Sequence, residues 1–450
     1  MPNVAFYTLG CRLNQAETGL AAADLSDHGF TLVAWGQPAE LLVINSCAVT
    51  AAAAQKTRQA VRAARRKWPQ AFIVVVGCGV TVDREAWLTE DGPDLVVPNP
   101  PPAPLSALLP AALQPGGPAV CVPPGEPLDG FTIPGAGVFG ERTRANLKIQ
   151  DGCDFFCSYC IVPFTRGRSR SRDAGDVLRE AQALIDNGFR ELVLCGVNLT
   201  TYQDHGLDLA GLLERLLGLK GDFRLRLGSA EPGPVLERVI DVMAGDPRLC
   251  RFLHLPLQYG EDSILHSMRR HYRADDYRRL AERALGRIAG LCLGADVIVG
   301  FPGETDATFA SCRDYLASLP FGLLHVFSYS PRPGTAAARL GGRPPARLAK
   351  HRSEELLALA TAKAETFATG QVGQTLPVLI EDGAEGSGWS DNYLHVQVEG
   401  AATAGLQTNI ILDVEITAAT DHREVLGRPV ARRHCPPPAE KDHAELQKLP

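Results

Sequence analysis

The stretch Ile149–Arg172, IQDGCDFFCSYCIVPFTRGRSRSR, places Cys153, Cys157 and Cys160 in a C-x3-C-x2-C spacing and follows them with a run of arginines. A closed structural zinc site takes four ligands, usually from two paired cysteine turns, and no second C-x2-C pair occurs in this chain. Three thiolates instead suit three irons of a 4Fe-4S cube, with the fourth iron open to another ligand. In radical chemistry the companion of such a cube is S-adenosylmethionine. The position of the loop matters as much as its spacing, because it directly follows the apolar strand pattern "NLKI" at Asn146.

Reading outward from that strand, apolar runs recur at "ELVL" (191), "FRLRLG" (223), "RFLHL" (251), "LGADVIV" (293) and "LLHVFSY" (323), with helical periodicity between them. Six such units predict a partial (β/α)6 barrel over residues 141–369, with its chemistry at the carboxyl ends of the strands. Residues 1–97 alternate in the same way. The runs "NVAFYTLG", "ELLVINS" and "AFIVVVG" each end at a cysteine, namely Cys11, Cys47 and Cys78. Carboxyl ends of parallel strands line one crevice, so an open α/β sheet would bring these three thiols together. Between the two units, residues 98–140 hold twelve prolines and read as a linker with one short helix near Leu105–Leu113. Alternating strands and glycine-rich turns over 370–428 predict a small β-barrel, and the polar, proline-containing tail 429–450 is expected to be disordered. The expected fold class is therefore an α/β multidomain protein: an N-terminal open sheet, a central partial barrel and a small C-terminal β-barrel.

Composition sets the context. The chain has 450 residues, enough for two or three cores, and no apolar stretch able to span a bilayer. Twelve cysteines without a leader-like start point to metal or catalytic thiols in the cytoplasm rather than to disulfides. A net charge of -6 leaves nucleic-acid binding to local patches. One patch is "QKTRQAVRAARRKWPQ" (55–70), with six basic residues and no acidic one; Arg58, Arg62, Arg65 and Arg66 share a helical face. Another is the run containing Arg166 and Arg168. Against these, residues 371–428 carry nine acidic residues and two arginines, a net of -7, leaving Trp389 and Tyr393 as RNA contacts or barrel core.

The motifs "TLGCRLNQAE", "VINSCAVT", "RANLKIQDGCDFFCSYCIVPFTRGRSRSR", "HLPLQYG", "DVIVGFPGET" and "HVFSYSPRPGTAAA" together resemble the radical S-adenosylmethionine methylthiotransferases over nearly all of residues 1–428. They look most like the branch that acts on threonylcarbamoyladenosine in tRNA. The resemblance implies that Cys153, Cys157 and Cys160 hold the radical cluster. It implies that Cys11, Cys47 and Cys78 hold an auxiliary 4Fe-4S cluster bearing the sulfur to be inserted. S-adenosylmethionine would serve both as radical source and as methyl donor, and the C-terminal barrel would be TRAM-like. Cosubstrate contacts are expected at strand ends from Gly196, Asn198, Ser229, Glu231, Gly300 and Gly303, where glycines allow close approach and polar groups can bond amine or carboxylate. This chain departs from the family pattern in "GCGVTVD", which lacks the tyrosine-alanine-glutamine usual after the third cysteine, and in "LGSAEP", which has Gly228 where a serine is common. The implied partners are the anticodon loop of tRNA, where position 37 is unpaired, and an electron donor such as flavodoxin or ferredoxin, with no membrane. Rival readings are methylthiolation of an aspartate on a small-subunit ribosomal protein, of isopentenyladenosine in tRNA, or a nonenzymatic iron-sulfur RNA-binding module.

Overall fold

The computed structural model describes residues 1–432 except 83, 90, 117–118, 124, 126–129, 132, 134–136, 138–142 and 401–405. The N-terminal unit is a parallel sheet of β1 (Asn3–Thr8), β2 (Thr31–Val33), β3 (Leu41–Ser46), β4 (Phe72–Gly77), β5 (Leu95–Val97) and β6 (Val120–Cys121), in the order β2-β1-β3-β4-β5-β6. Its central strands are continuous apolar runs because both faces are covered, one by a core around Ile44, Val61 and Val75 and the other by a core around Val43, Val74 and Leu105. The helices α1 (Arg12–Asp27) and α2 (Ala51–Lys67) are the crossovers. Strands β2, β5 and β6 are too short for a pattern of their own, and β6 lies inside the stretch read as linker. Leu105 of the brief helix there, Leu105–Leu108, is 8% exposed against the sheet. That stretch is therefore partly built into the N-terminal unit.

The central unit has all six strands read from the sequence. Arg144–Lys148, Glu191–Cys195 and Arg224–Leu227 form one parallel sheet; Phe252–His254, Cys292–Val299 and Phe321–Ser328 form another. Isolated parallel bridges Leu225 to Leu249 and Ser229 to His254 join the two into an open barrel. Ala145, Leu147, Leu192, Leu225 and Leu253 point to the outer helices in one large core. The inner face is closed off differently: Leu13 of α1 packs on Val193, Cys195 and Val197.

The C-terminal unit is a closed five-stranded barrel of Thr375–Asp382, Ser387–Ser390, His395–Val398, Ile411–Asp421 and Glu424–Arg432. Its last strand runs past residue 428, where the sequence pattern placed the end, so Pro429–Arg432 belong to the sheet; the rest of the tail, 433–450, with Cys435, lies outside the described residues. The barrel docks under the central strands through arginines. Arg224 and Arg226 both donate to buried Glu191, at 2.6 and 2.7 Å, and extend to the barrel carbonyls of Pro377, Trp389, Ser390 and Asp391 at 2.9–3.0 Å. Burial raises the Glu191 carboxyl, but Arg226 and Arg224 outweigh it and hold it well below the usual range.

Candidate active site

Strands β1, β3 and β4 are neighbours in the sheet and run parallel, so their carboxyl ends put Cys11, Cys47 and Cys78 on one edge. The Cys11 loop passes tightly over Cys47. Gly10 has φ +111°, and a Cβ on it would lie 3.0 Å from the Cys47 Cβ and 3.2 Å from its sulfur. Asn14 clamps the two loops by donating to the carbonyls of Leu9 (2.9 Å) and Ser46 (3.0 Å), while its Oδ1 lies 3.5 Å from the Cys11 Sγ. Asn99 Nδ2 approaches the Cys78 Sγ at 3.6 Å. Burial pushes the Cys47 and Cys78 thiols up, Cys78 to about 11, and Cys11 adds to both shifts.

The second trio sits in the loop after strand Arg144–Lys148. Gly152 has φ +69°, and a Cβ there would fall 1.9 Å from the Arg168 carbonyl oxygen, so no side chain fits. The loop is pinned by Cys153 N–H to Gly167 C=O (3.1 Å), Ser158 N–H to Met268 C=O (2.9 Å) and Ser158 Oγ to Ser267 C=O (2.7 Å). Arg270 donates to the Cys157 Sγ at 3.2 Å and to the Tyr159 hydroxyl at 3.3 Å, and is itself paired with Glu231. Burial, reinforced by the neighbouring thiols, pushes Cys153 to about 11 and Cys160 to about 12; at Cys157 burial also raises the thiol while Arg270 pulls it back. All six cysteines are free thiols.

The elements that carry the two trios pack together. Ala48, Cys78 and Ile161 share one buried apolar contact, so the residue after Cys160 touches the residue that opens the auxiliary turn. Beside it a buried charge network ties the domains: Arg166 bonds Glu17 (2.7 Å), Asn14 (2.8 Å) and Asp151 (3.1 Å), Lys148 bonds Glu17 and Asp151 at 2.8 Å each, and Arg170 bonds Asp151 at 2.9 Å. Burial raises the carboxyls of Glu17 and Asp151, yet the cations around them hold both below the usual range. Glu17, Lys148, Asp151 and Arg270 were not singled out in the sequence. Their partners lie up to 149 residues away, and only the "CRLNQAE" segment hinted that Asn14 and Glu17 follow Cys11 on one helix face.

Several nominated residues sit elsewhere than expected. Arg166 is 2% exposed and fully paired, so it is a structural cation, not an RNA contact. Arg170 and Arg172 are buried too, Arg172 on Asp176 and Glu180, so the arginine run is an internal ion-pair seam. Arg65 also turns inward, to Asp94 at 2.8 Å. Arg62, Arg66 and Arg168 are exposed, with Arg168 on Asp154 and over the Phe156 ring, and Arg58 is half-buried. Among the cosubstrate candidates, Gly196 lies against Gln150, whose Oε1 accepts from the N–H groups of Val197 (2.8 Å) and Asn198 (2.9 Å). Asn198 is 1% exposed and its Nδ2 has no partner among the described residues. Ser229 bonds His254 Nδ1 at 2.8 Å, and His254 Nε2 meets Asp296 at 3.1 Å. Gly300 and Gly303 fit less well. Their N–H groups are taken by Glu304 (3.0 Å) and the Gly342 carbonyl (2.9 Å), in a loop held by the buried Glu304–Arg352 pair, so they serve a turn. Trp389 and Tyr393 are neither RNA platform nor barrel core: Tyr393 stacks on Phe252 at 4.3 Å and receives Arg12 at 2.8 Å, which makes the pair a domain contact.

Comparison with known proteins agrees with this layout. The radical SAM superfamily matches residues 147–316, and the uncharacterized protein family UPF0004 matches residues 3–98. The threonylcarbamoyladenosine tRNA methylthiotransferase MtaB of Bacillus subtilis is 32% identical, covering 89% of this chain and 91% of that protein. The chain belongs to the radical SAM methylthiotransferase family. The Aquifex aeolicus protein of the same name is 31% identical over 91% of this chain and all of that one, and a tRNA-2-methylthio-N(6)-dimethylallyladenosine synthase of Chlorobium limicola is 32% identical over 83% and 86%. Among solved structures, the radical S-adenosylmethionine methyltransferase TsrM of Kitasatospora setae shares the fold, with a TM-score of 0.55, 18% identity and 73% of each chain covered. Methylthiotransferases of this family use S-adenosylmethionine and two 4Fe-4S clusters. No helix among the described residues is long and apolar enough to cross a membrane.

Proposed function

We propose that this methylthiotransferase places a methylthio group on carbon 2 of threonylcarbamoyladenosine at position 37 of tRNA, beside the anticodon. The observation that carries the chemistry is the juxtaposition of two trios of free thiols across Ala48, Cys78 and Ile161, and the choice of threonylcarbamoyladenosine follows the Bacillus subtilis and Aquifex aeolicus relatives. The donor chemistry fits the cofactors: each trio offers three sulfurs, and the orphaned Nδ2 of buried Asn198 provides a donor at a strand end. On this reading Cys153, Cys157 and Cys160 hold the radical cluster, Cys11, Cys47 and Cys78 hold the auxiliary one, and Gly196, Asn198, Ser229 and Glu231 line the cosubstrate side. When bound, the clusters and S-adenosylmethionine supply the radical, the sulfur and the methyl group that an unactivated C–H bond requires.

The chain's own residues do the rest. Arg270 directs a charge-assisted N–H bond at the Cys157 sulfur, which favours the more reduced, more negative state of whatever that sulfur ligates. The Glu17–Arg166–Asp151 network fixes the distance between the trios by locking α1 to the cysteine loop. Exposed Phe164 (54%), in the short helix after Cys160, offers an aromatic face on which an unpaired base can stack, and exposed Val49 (55%), two residues after Cys47, adds apolar surface. Arg62, Arg66 and Arg168 remain for backbone phosphates. The electron donor is a small redox protein of the flavodoxin or ferredoxin kind, and the setting is cytoplasmic.

The test is incubation of the anaerobically reconstituted chain with S-adenosylmethionine, a reductant and either of two anticodon stem-loops, one bearing threonylcarbamoyladenosine and one bearing dimethylallyladenosine. Nucleoside mass spectrometry should show the methylthio product from the first. Product only from the second would overturn the substrate.

A further inference from the structure

Segment Tyr329–Thr335, after the last barrel strand, seats on the N-terminal unit. Ser330 Oγ accepts the Ala51 N–H at 3.3 Å, which fixes the segment at the first turn of α2, the helix that follows the Cys47 loop. Thr335 then holds the Arg332 carbonyl with both its hydroxyl (2.7 Å) and its N–H (3.2 Å). The Arg332 side chain thus has a fixed root, and the residue is only 8% exposed. Yet its Nε is buried with no partner, and no described residue bonds or pairs with the guanidinium. Arg58, about two turns along α2, also has no hydrogen bond or ion pair to a described residue. The two cations and Cys47 lie near enough to influence one another: burial lowers the Arg332 pKa, Cys47 raises it, and Arg58 lowers it further. The helix brings no compensating acid, since its first turn has none. An arginine whose Nε is buried without a partner, with a second cation nearby, is a ready seat for an anion. Every other deeply buried arginine described above has its carboxylate, as Arg166, Arg172 and Arg226 do.

We propose that Arg332 and Arg58 form an oxyanion seat beside Cys47 that takes an anionic group of the nucleotide being modified. This rests on the substrate reading above. The threonylcarbamoyl substituent ends in a free carboxylate, and it hangs from N6 on the same purine edge as carbon 2, flanking N1. A carboxylate seat next to the sulfur-delivering trio is where that substituent falls when carbon 2 faces the trio. The backbone phosphate of the same nucleotide has the same chemistry, and the forked donors of an arginine match either. A dimethylallyl group offers no anion.

The experiment measures Kd, by fluorescence anisotropy with the reconstituted full chain, for three anticodon stem-loops: threonylcarbamoyladenosine with its free carboxylate, the same nucleoside as its methyl ester, and plain adenosine. Arg332→Gln should weaken binding of the first by about tenfold, with Arg58→Gln acting in the same direction and Arg332→Lys recovering part of the loss. An effect confined to the free carboxylate identifies that group as the occupant. An equal effect on all three, abolished by a methylphosphonate at the 5′ linkage of the target nucleotide, identifies the phosphate. Wild-type affinities for all three RNAs in both Gln variants, with iron content unchanged, would overturn the seat. Should Arg332→Gln fail to load iron, Arg58→Gln, a change at a half-buried helix position, decides by the same readout. Failure of the substrate reading looks different: the wild-type chain then binds the three RNAs alike and yields no methylthio product from the first, and only the phosphate arm judges the seat.

Discussion

Replacing Arg166 with glutamine separates two roles for the arginine run after the cysteine loop. The guanidinium bonds Glu17, Asn14 and Asp151, and its side chain is 3% exposed, so its removal strands two carboxylates in the interface between α1 and the loop. Breaking a buried pair by deleting one partner costs about 3–5 kcal/mol. Lys148 still reaches both carboxylates at 2.8 Å, which puts the expected loss near the lower end, about 3 kcal/mol. With a urea m-value of ~3 kcal/mol/M, the midpoint of the transition that separates these domains should fall by about 1 M. The pH dependence has a defined sign. Glu17 and Asp151 have folded pKa values below the unfolded ones, so their contribution is present above the unfolded carboxyl range, roughly pH 4, and is lost as pH falls below it. Arg166→Gln should therefore flatten the acid limb of the stability profile. A variant with wild-type stability but a salt slope of RNA binding reduced by about one phosphate contact would refute this reasoning and restore Arg166 to the RNA surface.

Gly152→Ala should abolish loading of the cluster at the C-x3-C-x2-C loop while sparing the other, because the added methyl meets the Arg168 carbonyl at 1.9 Å; iron analysis showing full loading would contradict the loop geometry. Arg226→Met removes the donor to Glu191, Ser390 and Asp391 and should loosen the C-terminal barrel by about 3 kcal/mol, read as faster proteolysis between residues 369 and 375; unaltered resistance would mean that the arginines do not hold the dock. Arg270→Gln withdraws a positive donor from the Cys157 sulfur and should shift the reduction potential of that centre to a more negative value in an EPR-monitored titration, and an unmoved potential would reduce Arg270 to a packing role.

What could be read from the sequence was whatever is local. The six central strands and the three strands ending at Cys11, Cys47 and Cys78 each advertise themselves by a continuous apolar run and a following turn, and the sheet order then brings the cysteines to one edge. Strands β2 and β5 have three residues each and β6 two, too few to show a period, and β6 is further hidden among prolines. The arginines misled for a physical reason. A basic run on its own looks like a solvated face, and only the distant acids Glu17 and Asp94, joined to Arg166 and Arg65 by the tertiary fold, turn it inward. Trp389 and Tyr393 were ambiguous between core and RNA because the third option, an interface with Phe252 and Arg12, needs two other domains to exist.

Everything chemical in this account depends on each trio of thiols holding its own cluster, side by side. Mössbauer spectroscopy and iron analysis of anaerobically reconstituted protein test that directly, using wild type, the triple variant Cys11→Ala/Cys47→Ala/Cys78→Ala and the triple variant Cys153→Ala/Cys157→Ala/Cys160→Ala. The expected result is two 4Fe-4S clusters in the wild type and one in each triple variant. A wild type with a single cluster, or either variant retaining both, would contradict it.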